Sequence, residues 1–285
     1  MAHIHDYEIQ SKKLYIAIGI NILLTIAQIV GGLISGSLSL LADALHNFSD
    51  AGAILVAVIA RKIGQTPPSP TMTYGYQRAE TLGTLINSVS LILVGFYLMY
   101  ESISRYTSPQ TIDGWIVIWV AGIALVIDIA TALLTHSAGA KYNMNIRAAF
   151  IHNISDALAS VVVIIAGILI IYYQWNIVDL LATIGISLYV IFHGGVLTKK
   201  AILILMQATP DGININEIKD RLEKVEGVKR VFHIHVWQLD DHRICFEGHI
   251  ELDEASNVRN VKKTLKEILR TQFHIEHSTI DAEMI

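Results

Sequence analysis

The chain has 285 residues, of which 53% are hydrophobic and only 16% are charged. Soluble domains of this size carry about a quarter charged residues, so the composition excludes a disordered chain and an ordinary cytosolic enzyme. The formal net charge of −4 offers no basic field for a nucleic acid. With one cysteine and twelve histidines, any metal site must use histidine and carboxylate ligands.

Six apolar runs are long enough to cross about 30 Å of hydrocarbon as helices of about 20 residues. They cover residues 15–34, 38–60, 81–100, 115–134, 151–173 and 177–197. The polar start has no apolar segment followed by small residues, so we expect no removable signal peptide. The predicted domains are a tail over 1–13, a six-helix transmembrane domain over 14–207 and a C-terminal domain over 208–285.

Basic residues in the loops predict the orientation, because cytoplasmic loops carry an excess of Lys and Arg. With six spans, both termini and the loops after the second and fourth spans lie on one side. The basic residues on that side are Lys12, Lys13, Arg61, Lys62, Arg78, Lys141, Arg147, Lys199 and Lys200. The other side has Arg105 alone. Both termini are therefore predicted to be cytoplasmic.

The C-terminal residues alternate between helical and strand patterns. Helical spacing covers 214–225 and 258–269, with Asn214 or Asn216 as the expected cap of the first helix. Alternation typical of strands covers 231–239, 244–252 and 277–282. The order αββαβ predicts a small α+β domain with its helices on one face of the sheet.

A six-residue motif occurs twice within the spans. HNFSDA starts at His46 in the second span and HNISDA starts at His152 in the fifth, with five of six positions identical. Ionisable side chains are costly in hydrocarbon, so each is a functional hypothesis. His46 with Asp50, and His152 with Asp156, are spaced i and i+4, which places each pair on one helical face.

The two copies lie on helices that run in opposite directions, which suits a pseudo-two-fold site of the kind that inverted repeats form in transporters. We infer a His₂Asp₂ metal site. Four nitrogen and oxygen ligands suit tetrahedral Zn²⁺, with Cd²⁺, Co²⁺ and Fe²⁺ behind it. Four protein ligands leave no open position for a catalytic water, and no HExxH helix occurs, so we expect no enzyme. The alternative is a structural polar cluster that joins two helices.

Other ionisable residues lie in or near the spans. Asp43, three residues before His46, is predicted either to orient that imidazole or to cap the second helix. Asp128 is either a pathway residue or a helix–helix hydrogen bond, and Asp179 and His193 are expected at the interface. The small residues near the end of the first span are expected to allow close helix packing. They are Gly31, Gly32 and Gly36.

Six segments follow one another in the order and spacing of a known family. They are GGLISGSLSLLADALHNFSDAGA, YGYQRAETLG, NIRAAFIHNISDALAS, LMQATP, HVWQL and HSTIDAE. Together they resemble the cation diffusion facilitator family of divalent-metal transporters over nearly the whole chain. The resemblance implies a homodimer, a metallochaperone-like cytoplasmic domain, and export of zinc or a similar ion in exchange for protons. It implies that the duplicated motif is the transport site, in a pattern that looks zinc-preferring.

The resemblance also implies metal in the cytoplasmic domain. Relatives hold zinc there near the dimer interface, and His249, His277 and Glu283 match those positions. His233 and His235 are spaced i and i+2, which predicts one face of the first strand. Histidines that serve only the fold or the surface are the alternative. The loop GQTPPSPTMTYGYQ contains no His, Asp, Glu or Cys, so we expect no metal there.

These observations predict a proton-coupled antiporter with Zn²⁺ as substrate and as a candidate regulatory ion, and with protons as the counter-substrate. The predicted partners are a second copy of the chain, the lipid bilayer and divalent metal ions, with no nucleic acid. The short loops favour a bacterial inner membrane. The alternatives are a zinc sensor that uses the cytoplasmic histidines and an importer that uses the same ligands with opposite flux.

Overall fold

The computed structural model describes residues 19–20, 22–64, 66–137, 144–240, 243–254 and 257–284. The predicted tail over residues 1–13 lies outside the described residues, as does the side chain of Asp50, whose backbone is helical. The chain divides into two compact units. One is Met1–Leu55 with Asn87–Val196, and the other is Val56–Ile86 with Leu197–Ile285.

Long apolar helices account for most of the described residues up to Leu205. They are α1 (Ile22–Ser35), α2 (Leu38–Gly64), α3 (Ala79–Thr107), α4 (Gly114–Ser137), α5 (Met144–Tyr173) and α6 (Ile177–Leu205). Within the described ranges, four helices, α3 to α6, are long and apolar enough to cross a membrane. At 1.5 Å per residue, the 29 residues of α3 extend over about 43 Å.

Close packing around α1 depends on glycine, as predicted. A Cβ atom on Gly31 would lie 2.8 Å from the side chain of Val120 in α4, and one on Gly32 would lie 2.7 Å from that of Leu41 in α2. Gly36 has φ +73 in the turn between α1 and α2, a left-handed conformation that favours glycine. The helix backbones can therefore approach each other closely at the N-terminal end of α2.

Asp179, which was expected at the membrane interface, lies at the start of α6 and is fully buried within the protein. Its carboxylate accepts hydrogen bonds from the hydroxyls of Ser37 and Ser39, both at 2.6 Å. It also accepts the backbone N–H groups of Leu38 at 2.8 Å and Ser39 at 3.3 Å. Asp179 therefore caps the N-terminus of α2 from a distant helix, which no local sequence pattern reveals.

Two further polar residues of the spans have partners on neighbouring side chains. Ser160 of α5 donates its hydroxyl to Asp128 Oδ2 of α4 at 3.3 Å, which fits the helix–helix alternative for Asp128. The ring of His193 lies against that of Tyr189 within α6, with 4.4 Å between centroids. Ser160 and Asp128 are buried, whereas His193 is exposed.

The C-terminal residues form the predicted αββαβ order. The elements are α7 (Ile215–Leu222), β1 (Val228–Gln238), β2 (Ile244–Leu252), α8 (Val258–Phe273) and β3 (His277–Met284). Strand β2 lies in the middle, antiparallel to β1 and parallel to β3. Asn214 caps α7 by accepting the N–H of Asn216. Phe246 and Ile250 of β2 pack with Leu222 of α7 and Leu265 of α8 in a separate hydrophobic core.

Strand β1 contains a bulge that the alternating sequence does not reveal. The register with β2 shifts between Phe232 and His235, and His233 has φ 54. A bulge of this kind inserts an extra residue and redirects side chains. The rings of His233 and His235 lie side by side, with 5.1 Å between centroids. Their relative orientation is set by the bulge as well as by the i, i+2 spacing.

Candidate metal site in the membrane helices

The structure brings together three of the four residues of the duplicated motif. Helix α2 contributes His46, and α5 contributes His152 and Asp156, with candidate ligand atoms within 4.8 Å of one another. His46 Nε2 lies 3.5 Å from Asp156 Oδ1, and His152 Nε2 lies 3.4 Å from Asp156 Oδ2. His46 and Asp156 are buried, whereas the side chain of His152 is 40% exposed. One carboxylate therefore lies between the two imidazoles.

Asp50 follows His46 by one helical turn within α2. The same i, i+4 spacing joins His152 to Asp156, where the two side chains lie 3.4 Å apart. The structure describes only the backbone of Asp50. Its place as a fourth ligand stays a prediction that rests on the repeat.

The electrostatics of the cluster favour a bound cation. The distances from Asp156 to the imidazoles exceed those of good hydrogen bonds, and its Oδ1 atom accepts none from any described residue. A buried carboxylate oxygen without a donor is unfavourable, since burial removes its hydration. A divalent ion held by two imidazole nitrogens and a carboxylate oxygen would offset that cost, and this ligand set suits zinc-like metals.

A buried chain of hydrogen bonds links α2 to α1 beside the motif. Gln28 of α1 donates its Nε2 to Asp43 Oδ2 at 2.6 Å, and its Oε1 accepts from Asn47 Nδ2 at 3.1 Å. Gln28 is fully buried. The capping alternative for Asp43 is wrong, because Asp179 caps α2. The orienting role of Asp43 toward His46 stays a prediction.

Sequence reasoning missed Gln28 and Tyr189. A cavity of about 670 Å³ has Asp43, His46 and Asp156 in its wall, together with apolar side chains of α5 and α6. Tyr189 of α6 also lines it, and its ring centroid lies 5.8 Å from that of His46. The sequence indicated a role for Gln28 only through its amide inside an apolar span. Tyr189 gave no indication, because aromatic residues are ordinary in such spans.

A second cluster lies on the sheet of the C-terminal domain. His249, Asp281 and Glu283 place candidate ligand atoms within 4.8 Å of one another, and His249 Nδ1 lies 3.7 Å from Asp281 Oδ2. The parallel register of β2 and β3 sets His249 opposite Asp281. The family positions matched in the sequence were those of His249 and Glu283, and strand register, which cannot be read from the chain, adds Asp281.

The other predicted ligands of this domain divide into two groups. The ring of His233 lies 5.2 Å from that of His249 and 5.1 Å from that of His235, so both extend the cluster. His277 lies opposite Cys245 in the register, about 13 Å along the strand from Asp281. Its ring is 6.1 Å from that of Tyr74. Within one chain, His277 therefore lies too far from the other predicted ligands to bind the same ion.

Comparison with known protein families matches both parts of the chain. Residues 14–206 match the cation efflux transmembrane domain, and residues 210–285 match the cytoplasmic domain of cation efflux proteins. The chain belongs to the cation efflux family. This cation efflux protein is therefore an integral membrane transporter and not an enzyme, and its four described apolar helices agree with that class.

Several proteins of known name resemble this cation efflux protein over most of its length. The cadmium, cobalt and zinc/H(+)-K(+) antiporter of Bacillus subtilis is 34% identical over 99% of this chain and 92% of its own. The zinc transporter ZitB of Escherichia coli is 30% identical over 99% and 93%. The human proton-coupled zinc antiporter SLC30A2 is 30% identical over 95% and 76%. The metal-bound C-terminal domain of the CzcD transporter from Cuprividus metallidurans is 29% identical over 25% of this chain and 99% of that structure, with a TM-score of 0.24.

Proposed function

We propose that this cation efflux protein exports Zn²⁺ from the cytoplasm in exchange for protons, through a transport site of His46, Asp50, His152 and Asp156. Cd²⁺ and Co²⁺ are further candidate substrates. The observation that carries the proposal is the contact of Asp156 with the imidazoles of both motif copies. The names of the similar antiporters from Bacillus subtilis and human support zinc as the transported ion and its exchange with protons.

Metal and protons compete for the same residues, and this competition couples zinc transport to proton transport. A metal ion requires neutral imidazole and ionised carboxylate, so protons that enter from the outer side displace the metal there. Release of those protons to the cytoplasm restores the site. Alternating access requires that the site open to one side at a time, by movement of α2 and α5 relative to other helices. The cavity beside His46 offers space for part of that path.

The proposal includes the predicted organisation of the chain. It places six spans in a bacterial inner membrane, with the tail over 1–13 and the domain over 208–285 both in the cytoplasm. The excess of basic residues on one side supports this orientation. The match of residues 210–285 to a cytoplasmic domain supports it independently.

We further propose that the cytoplasmic domain binds a regulatory zinc ion and joins two chains as a homodimer. The candidate ligands are His233, His235, His249, Asp281 and Glu283, whose side chains lie on neighbouring strands. His277 would contribute only from another position, such as a second chain. Metal that binds here would bias the transporter through the domain, which makes the site regulatory rather than part of the path.

The test is zinc flux into proteoliposomes with an imposed pH gradient and an internal fluorescent zinc reporter. Wild type is compared with Asp50→Ala, Asp156→Ala and the control Ser155→Ala. The hydroxyl of Ser155 donates only to the Ile151 carbonyl within α5, so its loss leaves the candidate ligands in place. We expect flux in wild type and in the control, and loss of at least about 100-fold in both aspartate variants.

Each outcome decides one part of the proposal. Normal flux in folded aspartate variants would make the duplicated motif structural, and the path would then be sought near Asp128. If the wild type transports another divalent ion but not zinc, only the assignment of the substrate would change. Zinc flux that does not depend on the pH gradient would contradict the proposed exchange with protons.

A further inference from the structure

Helix α8 carries five basic side chains on one face, which we call the basic stripe. Their spacing along the helix, at 100° per residue, places them within an arc of about 100°. The residues of the basic stripe are Arg259, Lys262, Lys263, Lys266 and Arg270. A different face of α8 packs into the core through Val261, Leu265 and Leu269. The basic stripe therefore takes no part in the core packing of its own domain.

The charge of the basic stripe is poorly neutralised. Glu267 is the single acidic residue of α8, and it lies 3.0 Å from Arg270. Among the residues that the structure describes, no carboxylate oxygen lies within 4.0 Å of the side-chain nitrogens of the other four. The whole chain has a net charge of −4, so this positive charge is a local feature.

The basic stripe lines a groove near the membrane end of its domain. The groove has a volume of about 600 Å³, and Glu276, His277 and Ser278 form its other wall. The ring of His277 lies 6.1 Å from that of Tyr74, in the segment that joins α2 to α3. A short segment between two membrane helices stays close to the membrane surface. This end of the groove therefore lies close to that surface.

The chain itself limits how far the domain can move from the bilayer. Helix α6 ends at Leu205 and α7 begins at Ile215. The connecting residues span about 30 Å when fully extended. Lipid headgroups are therefore always present at high effective concentration, unlike a soluble partner.

We propose that the basic stripe binds the headgroups of anionic phospholipids at the membrane surface. Clusters of four to eight Lys and Arg next to a membrane span or on an amphipathic helix bind anionic lipid, because the negative surface potential attracts each charge. The five cations of α8 fit that description, and its buried face fixes them on a rigid support. Such binding holds the C-terminal domain against the bilayer in one orientation.

The experiment measures acetylation rates of individual lysines by mass spectrometry, with the full chain in bilayer nanodiscs. One set of discs contains phosphatidylcholine alone, and the other contains about a third phosphatidylglycerol. We expect acetylation of Lys262, Lys263 and Lys266 to slow about fivefold in the anionic discs. About 0.5 M salt should restore the rates by screening. Lys219 and Lys224, in and just after α7, serve as internal controls and should not change.

Two matched variants test whether the basic stripe itself is responsible. Lys263→Glu/Lys266→Glu should abolish the lipid-dependent protection of Lys262, whereas Lys219→Glu/Lys224→Glu, with the same change in net charge, should preserve it. Equal rates in both lipids, or equal protection of Lys219, would overturn the proposal. Protection by inorganic phosphate in neutral discs would instead assign the basic stripe to a soluble anion, and protection in every disc would assign it to a protein contact.

Discussion

Asp156 is the residue in which the two copies of the motif meet. Its two carboxylate oxygens face one imidazole from α2 and one from α5. A single carboxylate therefore interacts with both helices. A proton or a metal ion at Asp156 changes the attraction between α2 and α5 directly. The neighbouring Gln28 ties Asp43 and Asn47 together and limits how far α2 can rotate by itself.

Cys245 is a buried thiol that offers a test of the domain fold. Burial raises the pKa of this thiol above its ordinary value, and Asp240 acts in the same direction. Because the thiolate is the reactive form, we expect maleimide to modify Cys245 several-fold more slowly at pH 7.5 than an exposed cysteine, and faster as the pH rises. The control is Thr264→Cys in a Cys245→Ser background, read by mass spectrometry. Equal rates would contradict the burial in β2.

His233 allows the backbone and the imidazole to be tested separately. Its φ of 54 is left-handed, a conformation that asparagine tolerates and β-branched residues do not. We expect His233→Asn to keep the thermal stability of the wild type and to weaken zinc binding by the cytoplasmic cluster about tenfold. His233→Val should lower stability as well. Calorimetric titration in an Asp50→Ala/Asp156→Ala background measures this site alone, and unchanged affinity would remove His233 from the ligands.

At the scale of elements, the N-terminal end of α2 is held by several neighbouring segments. Asp179 of α6 caps it, and Arg105 of α3 donates to the Gly36 carbonyl at 2.6 Å. The N–H of Asp113, just before α4, donates to the Ser35 carbonyl at 2.9 Å. His46 lies about 12 Å further along the helix from Leu38. If α2 moves during the proposed transport, we therefore expect it to turn about this end.

The cap predicts a large effect of one substitution. Asp179→Ala leaves buried hydroxyl and N–H donors without an acceptor, which costs about 1–3 kcal/mol for each group. We expect a clearly lower unfolding temperature in detergent and reduced zinc flux, with Asp179→Asn between it and wild type. Thr183→Ala, one turn along α6, removes a single bond to the Asp179 carbonyl and is the control. A wild-type unfolding temperature for Asp179→Ala would show that the cap contributes little.

At the scale of the whole molecule, the proposed exchange predicts a dependence on cytoplasmic pH. Free imidazoles titrate near pH 6.5, so a histidine site that exchanges protons for metal is expected to change its occupancy between about pH 6 and 7.5. Neutral imidazole binds metal, so zinc flux should rise steeply with cytoplasmic pH over this range. Vesicles without protein, loaded by a zinc ionophore, control for the reporter. A flat profile would contradict competition between protons and metal at the site.

Much of the architecture could be predicted because its causes are local or periodic. Apolar runs predicted the helices, although α3 extends to Thr107 and α6 to Leu205, well past the expected ends. Each extension begins with polar residues, which end an apolar run but do not end a helix. Strand alternation predicted β2 at its observed bounds, and the order of all five C-terminal elements is confirmed.

The sequence by itself determined the membrane class, the order of the domains and the duplicated motif. Each rests on composition or on spacing within one segment, which survives folding unchanged. Only the tertiary structure decided that Asp179 caps α2, that Gln28 reaches Asp43 and that Asp281 lies beside His249. The physical reason is that these contacts join residues far apart in the chain. Which buried polar groups meet depends on helix packing and strand register, and neither is written in any single segment.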